Sequence, residues 1–247
     1  MPRTHNVFDP DDALPYRLSR SKLEDFMRCR RCFYLDRRLG VDFPRGPPFS
    51  LNLAVDELLK REFDRYRDTR RTHPLMRQLG LSRPPFAHAE LAEWRSNNIG
   101  VQAFHEATGF LVYGAIDDLW IDDDDALRVV EYKATSTTRA VDLEDDWKIS
   151  YKRQVEIYQW LLRRRGFKVS RVAHFVYVNA LKTPPVFAGR LEFETHTLSH
   201  VGDDSWIDGA LRRARACLAA RRCPPPTEDC AWCRFREESR EREAPGS

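Results

Sequence analysis

Two charged side chains, Glu131 and Lys133, lie two positions apart in a β-prone run of the sequence. Because successive side chains of a strand point to opposite faces, this carboxylate and this ammonium are expected to project from the same face. A carboxylate provides the oxygen ligands that a hard divalent cation prefers, and an ammonium is a compact donor for a phosphate. An exposed strand with a surface ion pair has the same local pattern, and the pair alone favours that simpler interpretation.

The segment around this pair is predicted to be an antiparallel hairpin. Two β-rich runs flank four consecutive aspartates at 122–125, a stretch that turns accept and strands avoid. Asp117 lies in the first run, and if it faces Glu131, two carboxylates and a lysine converge. Asp118 is the alternative in the other register.

The six cysteines include two Cys-x2-Cys pairs near opposite ends of the chain, Cys29 with Cys32 and Cys230 with Cys233. A chain of 247 residues can bury a sizeable core, so these cysteines are not expected to form the disulfide framework of a small secreted protein. Two such pairs supply four thiolates, enough for a metal or iron–sulfur site. The pattern favours ligation over buried free thiols and leaves zinc and iron–sulfur open.

The overall composition argues against a membrane protein and does not identify a binding partner. The formal net charge is +3, from 41 lysines and arginines against 38 aspartates and glutamates. This charge is too small to indicate a polyanionic binding partner. Arginine clusters at 61–71, 163–165 and 212–222 could form basic surface, but solvated helix faces explain them equally well. The chain lacks the roughly 18-residue apolar run of a membrane span and an apolar signal core, so we expect a soluble cytoplasmic protein. It also lacks a Walker motif and a dinucleotide-binding glycine fingerprint, so no nucleotide cofactor is expected.

The N-terminal cysteine pair is predicted to lie on a helix. Residues 1–17 are interpreted as an extended arm. Ser21 to Glu24 form a capping box that predicts a helix over about 22–38, which Gly40 ends. The three-residue spacing of the cysteines then puts both on one helical face.

A second helix is predicted to begin near Ser50, after a proline-rich break. Asp56 lies on its polar side. Its apolar side, which is expected to face the core, consists of Leu51, Val55, Leu58, Leu59 and Phe63.

The rest of the chain alternates between predicted strands and helices. Strands are predicted at 100–105, 110–121, 169–180 and 189–198. The first two are expected to form a three-stranded meander with the strand that ends at Lys133. Helices are predicted at about 147–165 and 203–221, and a disordered charged tail at 237–247.

Five stretches together resemble the RecB-like exonuclease branch of the PD-(D/E)xK nuclease superfamily, which includes the iron–sulfur nucleases of CRISPR adaptation. Their order and spacing are more specific than any one of them alone. The stretches are 18–35, 51–60, Gly-Ala-Ile-Asp at 114–117, Val-Val-Glu-Tyr-Lys at 129–133, and Gln154-x3-Tyr158.

The resemblance covers Leu18 to Phe235 and implies an α/β fold of the restriction-endonuclease-like PD-(D/E)xK type. In this fold a mixed central sheet is flanked by helices. The resemblance implies a single nuclease domain over 18–236, in which the N- and C-terminal cysteine pairs meet at one end.

The resemblance also implies a site for Mg²⁺ or Mn²⁺. The family's metal ligands correspond to Asp117, Glu131 and the backbone carbonyl of Tyr132, and its catalytic lysine corresponds to Lys133. Relatives often place a histidine ligand on the second helix, where this chain has Asp56. An aspartate is a hard oxygen ligand and can still hold Mg²⁺, so the departure weakens the expectation of activity without removing the site.

On the helix at 147–165, Gln154 and Tyr158 lie one turn apart and so face the same way. The resemblance implies that they line the site and contact DNA or the catalytic lysine; helix packing is the alternative role, especially for the tyrosine.

The cysteines have their own counterpart in cluster-bearing relatives, where one cysteine follows the first helix and three lie near the C-terminus. A [4Fe–4S] cluster is therefore implied, with Zn²⁺ as the alternative. This chain departs from the pattern because it lacks the usual last cysteine after Cys233. Cys223 is therefore an alternative ligand: if it replaced one of the N-terminal cysteines, the one-plus-three arrangement would be restored. The expected ligands are Cys29, Cys32, Cys230 and Cys233.

The function implied by the resemblance is metal-dependent hydrolysis of DNA phosphodiester bonds, with single-stranded or end-bearing DNA as substrate. A helicase or a CRISPR-adaptation protein is the implied partner. Two rivals stay open at this point. One is a catalytically weakened nucleic-acid-binding or assembly subunit that keeps the fold, and the other is a zinc-stapled interaction protein.

Overall fold

The structure, a computed structural model, describes residues 4–12, 15–42, 46 and 49–243. Its helices are α1 Arg20–Arg28, α2 Arg30–Arg37, α3 Ser50–Asp68, α4 Pro74–Gln78, α5 Leu91–Trp94, α6 Ile149–Arg164, α7 Ile207–Ala219 and α8 Ala231–Glu243. Its strands are β1 Tyr16–Ser19, β2 Val101–His105, β3 Phe110–Gly114, β4 Asp118–Ile121, β5 Leu127–Thr135, β6 Val172–Ala180 and β7 Phe193–Val201. These elements agree with the predicted α/β class, a mixed sheet flanked by helices.

The chain divides into two compact units. The first, here called the terminal unit, comprises Met1–Gly46, Phe104–Val112 and Ser205–Ser247. The second, here called the central unit, comprises Pro47–Ala103 and Tyr113–Asp204.

The four-stranded sheet of the central unit has the order β4-β5-β6-β7. Strands β4 and β5 are antiparallel, with Asp118 opposite Val130, so the hairpin predicted around the aspartates at 122–125 is confirmed. Strand β5 is parallel to β6, and β6 is antiparallel to β7, so the sheet is mixed.

The strand predicted over 110–121 is instead two strands, and the prediction of a meander was wrong. β3 belongs to a three-stranded sheet of order β1-β3-β2, whereas β4 belongs to the four-stranded sheet. The chain leaves β-pairing between them because Ile116 N–H donates to the carbonyl of Trp94 (3.1 Å) and Arg95 Nε donates to the carbonyl of Asp117 (2.9 Å). These partners come from a segment that carries no strand signal in the sequence.

The first predicted helix is also divided. α1 begins at Arg20, and its N-cap is Ser19, whose hydroxyl accepts the N–H of Lys22, so the capping box predicted at Ser21 was wrong. Cys29 has extended backbone angles (φ −156°, ψ 113°) and separates α1 from α2. The two cysteines of the N-terminal pair therefore lie at a helix junction and not on one continuous helical face.

The two faces of β5 have different neighbours. Val130 and Tyr132 belong to a buried apolar cluster with Phe63 of α3, whose ring stacks on that of Tyr132 at 5.8 Å between centroids. Glu131 and Lys133 alternate with these residues and point to the opposite face, as expected. One face of the strand is thus committed to the core, and the other is left for polar side chains.

Helix α3 begins at Ser50, as predicted, but its apolar side is narrower than expected. Val55 and Leu59 pack against the buried cluster together with the fully buried Phe63. Leu51 and Leu58 are 54% and 60% exposed, so their assignment to the core was wrong. Leu51 lies one turn before the part of the helix that covers the sheet, and Leu58 lies one position round the helix from Leu59.

Both ends of the chain belong to the terminal unit. Phe8 is buried, and its ring contacts those of Tyr16 (5.3 Å) and Phe110 (6.4 Å) edge-on. At the other end, α8 continues to Glu243, through most of the segment for which the sequence predicted disorder; residues 244–247 lie outside the described residues. Among the helices of the described ranges, none is long and apolar enough to cross a membrane.

Candidate active site and cysteine centre

The polar face of β5 is the centre of the candidate active site, and its neighbours come from α3, α6 and the residue before β4. All of them lie in the central unit. They are Asp56 and Lys60 on α3, Asp117, Glu131 and Lys133 at the hairpin, and Gln154 and Tyr158 on α6.

Asp117 is fixed beside Glu131 by the backbone of the neighbouring strand, because its Oδ2 accepts the N–H of Tyr132 at 2.8 Å. Burial raises the pKa of Asp117 to about 7, and the negative charge of Glu131 acts in the same direction. Lys60 and Lys133 oppose this rise. The charge of Glu131 therefore adds to burial in disfavouring the ionised form of Asp117.

Asp118, the alternative to Asp117 in the other strand register, has a different environment. It is fully buried, and its Oδ1 accepts hydrogen bonds from Arg95 (2.9 Å) and Arg67, while its Oδ2 accepts the hydroxyl of Tyr132 at 2.9 Å. Its two oxygens are committed to this buried ion-pair network. Asp117, and not Asp118, is the aspartate beside Glu131.

Glu131 connects the strand to α6. Its Oε1 accepts hydrogen bonds from Lys133 Nζ (2.6 Å) and from Gln154 Nε2 (2.6 Å). The Gln154 amide also donates to the hydroxyl of Tyr158 (3.1 Å), and its Oε1 accepts from Lys133 (3.3 Å). The four side chains form one network, and Lys133 is further positioned over the ring of Tyr151, 4.3 Å from its centroid.

The second oxygen of Glu131 provides a test of whether these residues fit a divalent cation. Oε2 is buried and has no hydrogen-bond partner among the described residues. A buried carboxylate oxygen without a partner carries a large desolvation cost, which a cation would offset. The raised pKa of the adjacent Asp117 indicates the same deficit of positive charge, so these two carboxylates fit a divalent cation.

Asp56 lies beside the same site, and Lys60 separates it from Asp117. Lys60 Nζ is 2.7 Å from Asp56 Oδ2 and 3.5 Å from Asp117 Oδ1. Burial raises the pKa of Asp56, and the charge of Asp117 adds to the effect. In the described part of the chain, Asp56, Asp117 and Glu131 do not form a set of ligand atoms all within 4.8 Å of one another. The bridging lysine is consistent with this wider spacing.

Lys60 is a site residue that the sequence reasoning missed. Its spacing of four from Asp56 on a predicted helix was the available signal, because such residues are neighbours on a helix surface. Tyr132 contributes its backbone N–H to Asp117, while its side chain is part of the buried cluster. A ligand role for its carbonyl stays a prediction.

The two cysteine pairs meet within the terminal unit, as predicted. The sulfur of Cys29 is 3.8 Å from that of Cys233, and the sulfur of Cys32 is 3.5 Å from Cys230 and 3.6 Å from Cys233. All four lie within 4.8 Å of one another. Three are buried and the fourth, Cys230, is partly buried.

The two remaining cysteines lie outside this set. Cys217 directs its sulfur to the carbonyl of Arg30 at 3.7 Å, and Cys223 is exposed. Cys223, the alternative ligand considered from the sequence, is therefore not among the four clustered sulfurs.

The thiols of the cluster have unequal electrostatic environments. Burial opposes ionisation of Cys29, but hydrogen bonds involving the backbones of Cys32 and Thr227 outweigh it and lower the pKa of this thiol to about 6. Burial raises the pKa of Cys233 to about 12 and also raises that of Cys32. One thiolate thus forms readily, and the close sulfurs disfavour a second negative charge until a cation is present.

Comparison with known proteins identifies the family. The family model described as the PD-(D/E)XK nuclease superfamily matches residues 17–237. No curated protein matches the chain. A solved structure titled "Crystal structure of SSO0001" is similar, with 16% identity, coverage of 94% of this chain and 86% of that one, and a TM-score of 0.43. The family match spans both the hairpin with its carboxylates and the two cysteine pairs, and on that match the chain belongs to the PD-(D/E)XK nuclease superfamily.

Proposed function

We propose that this protein is a divalent-metal-dependent nuclease that hydrolyses phosphodiester bonds in DNA. The observation that carries the proposal is the buried, unpartnered Oε2 of Glu131 beside Asp117, whose pKa is raised to about 7 by burial and by the charge of Glu131. A divalent cation satisfies both carboxylates at once. Membership of a nuclease superfamily makes a nucleic acid the substrate expected for such a site.

In this proposal Asp117 and Glu131 would hold the metal, and Asp56 of α3 would add an oxygen ligand. The metal supplies polarisation of a phosphodiester oxygen and a water of lowered pKa. The chain's own contribution is to fix the carboxylates: the N–H of Tyr132 orients Asp117, and the amide of Gln154 orients Glu131. A rigid ligand set reduces the reorganisation that the reaction requires.

Lys133 is proposed as the catalytic lysine. Its ammonium is held by Glu131 Oε1, by Gln154 Oε1 and over the ring of Tyr151. A positive group fixed in this way can offset charge that accumulates on the phosphoryl oxygens or orient the attacking water. Tyr158 acts through Gln154, to which its hydroxyl is hydrogen-bonded, and is a positioning residue.

The single-stranded or end-bearing DNA preference comes from the resemblance to RecB-like exonucleases and is part of the proposal. Four substrates test it: linear single-stranded DNA, circular single-stranded DNA, linear duplex DNA and RNA, each with Mg²⁺ or Mn²⁺. We expect cleavage of the linear single strand and little cleavage of the circle. Rapid cutting of the circle would remove the requirement for an end.

The decisive variant is Glu131→Gln, which keeps the shape of the side chain and removes its charge. We expect cleavage to fall by at least about 100-fold, because the variant loses an anionic ligand and the partner of Lys133. Mn²⁺ affinity measured by calorimetry is expected to fall with it. Glu144→Gln is the matched control, since the Glu144 side chain is 85% exposed. Full activity in Glu131→Gln would overturn the proposal.

A second candidate function is supported by one observation. Lys60 forms ion pairs with both Asp56 and Asp117 and so occupies carboxylates that would otherwise bind a metal. This arrangement favours a nucleic-acid-binding subunit whose catalytic site is weakened. The two candidates differ in one measurement. DNA binding without cleavage, in the presence of either metal and with all substrates, would favour the binding subunit.

A further inference from the structure

The distances between sulfurs at the cysteine centre carry information about what the centre holds. Zinc–thiolate bonds are about 2.3 Å long, so four thiolates at the corners of a regular tetrahedron around one zinc ion lie about 3.8 Å apart. Three of the sulfur pairs here are 3.5, 3.6 and 3.8 Å apart. Three of the six sulfur pairs thus have the separation that a single tetrahedral ion requires, and all six lie within 4.8 Å.

The same distances do not fit the [4Fe–4S] cluster that the family resemblance implies. In a cubane each thiolate binds a different iron, so the ligand sulfurs surround a core of irons and sulfides and lie much farther apart than around one ion. Here all four sulfurs lie within 4.8 Å of one another. Accommodating a cubane would require both cysteine pairs to move outward.

Disulfide bonding does not account for the cluster either. Each of the four cysteines is a free thiol, and sulfur distances of 3.5 to 3.8 Å are far longer than the roughly 2.05 Å of a disulfide bond. The cluster therefore consists of four close, unbonded sulfurs.

The local backbone supports a metal–thiolate centre. Cys29 has extended backbone angles (φ −156°, ψ 113°), and its sulfur lies 3.8 Å from that of Cys233. The extended Cys29 between α1 and α2, and Cys233 in the first turn of α8, place each pair at the start of a helix.

Positive side chains flank both cysteine pairs. Arg30 and Arg31 lie between the N-terminal cysteines, and Arg234 and Arg236 follow the C-terminal pair. Arg31 also forms an ion pair with Glu237 of α8, at 3.1 Å, so α2 and α8 contact each other beside the sulfurs.

We propose that Cys29, Cys32, Cys230 and Cys233 bind one tetrahedral Zn²⁺ ion in place of an iron–sulfur cluster. The ion is structural: all four positions are filled by protein ligands, and zinc undergoes no redox change. It joins the α1–α2 junction to α8 across a sequence separation of 198 to 204 residues. This proposal does not depend on the nuclease function, because it concerns residues of the terminal unit alone.

The test is metal analysis of the full-length chain, purified anaerobically from cells supplied with both iron and zinc. We expect one zinc per chain, no iron and no brown colour. Brown protein that contains iron and acid-labile sulfide, at the roughly four irons of a cubane, would overturn the proposal, as would protein that contains neither metal.

Replacement of the metal supplies a second measurement that needs no variant. After removal of zinc under reducing conditions, Co²⁺ is expected to bind with one-to-one stoichiometry and to give the intense visible bands of tetrahedral thiolate coordination. Added Zn²⁺ should displace it, because zinc binds thiolate sites more tightly. Weak absorption typical of octahedral cobalt would contradict four-thiolate ligation.

Two cysteine variants separate ligation from general effects of removing a thiol. Cys230→Ser is expected to reduce zinc to well below one per chain, whereas Cys217→Ser, which alters a cysteine outside the cluster, should retain it. Glu131→Gln should also retain the zinc while it loses cleavage, so the outcomes for the two sites are distinguishable. Equal zinc contents in Cys230→Ser and Cys217→Ser would remove Cys230 from the ligand set.

Discussion

At the scale of single residues, the candidate active site is a balance between carboxylates and ammonium groups. Asp56, Asp117 and Glu131 supply up to three negative charges, and Lys60 and Lys133 supply two positive ones. Burial raises the pKa of both aspartates, and the charge of Asp117 adds to this at Asp56 while that of Glu131 adds to it at Asp117. The protein alone therefore leaves a deficit of positive charge that a divalent cation corrects.

Lys60 is expected to compete with the metal for Asp56 and Asp117. The variant Lys60→Met keeps much of the aliphatic stem and removes the charge, so we predict that Mn²⁺ binds about 10-fold more tightly, equivalent to about 1.4 kcal/mol. Without metal, the variant should be less stable, because the two aspartates lose their shared cation. Calorimetry and thermal unfolding measure the two effects.

Lys152→Met is the control for Lys60→Met, since the ion pair of Lys152 within the described residues is a long contact of 3.8 Å with the exposed Glu144. It should change neither metal affinity nor metal-free stability by more than about 0.5 kcal/mol. Weaker Mn²⁺ binding in Lys60→Met would show that the lysine supports the metal site and does not compete for it.

The pKa of Asp117 predicts how stability changes with pH when metal is removed. Because the native state raises this pKa from 3.8 to about 7, it binds the proton more tightly than the unfolded chain does. The resulting stabilisation is present below about pH 4 and is lost as the pH rises through about 7. Denaturant unfolding in a chelator should show this loss in the wild type and a smaller loss in Asp117→Asn. A pH dependence unchanged by the substitution would contradict the assignment.

At the scale of elements, the hairpin was predictable and the break before it was not. Four aspartates mark the turn between β4 and β5, and alternation along β5 gives the faces of Glu131 and Lys133, so local sequence is sufficient there. The break between β3 and β4 depends on contacts with Trp94 and Arg95, about twenty residues away in the sequence. The division of α1 from α2 at Cys29 is a backbone feature that the helical periodicity concealed.

Gly100 is predicted to be essential for the close approach of the chain at this break. Its φ is +67°, and a Cβ there would lie 2.6 Å from the backbone carbonyl carbon and oxygen of Gly114. Gly100→Ala should destabilise the protein by roughly 2–4 kcal/mol, from an unfavourable φ and a clash with backbone atoms. Gly80→Ala is the matched control, because Gly80 has a φ of +77° with no atom within 4 Å of the added carbon. Gly80→Ala should lower the free energy of unfolding by only about 1 kcal/mol. If urea unfolding showed equal decreases for the two variants, a clash at Gly100 would be ruled out.

At the scale of the whole molecule, the sequence predicted which functional residues lie close together better than it predicted the topology of the chain that connects them. Both cysteine pairs and the carboxylate hairpin were identified from spacing and from resemblance, because ligand types and alternating faces are local features. The division into two units was not foreseen. The chain passes from one unit to the other within β2 and within β3, as well as near residues 46 and 204, and a boundary inside a strand leaves no local signal in the sequence.

The cysteine centre should be the main long-range restraint on the ends of the chain. It closes loops of about two hundred residues, and a tie across a loop of that length is expected to contribute several kcal/mol. In Cys230→Ser, we therefore expect amide hydrogen exchange in α1, α2 and α8 to accelerate by at least about 10-fold, since these elements lose their common anchor. Strand β6, which is paired on both sides, serves as the internal reference. Cys217→Ser should leave the same helices protected, and equal protection of α8 in both variants would mean that the ion-pair and apolar contacts of the terminal unit hold this helix without the metal.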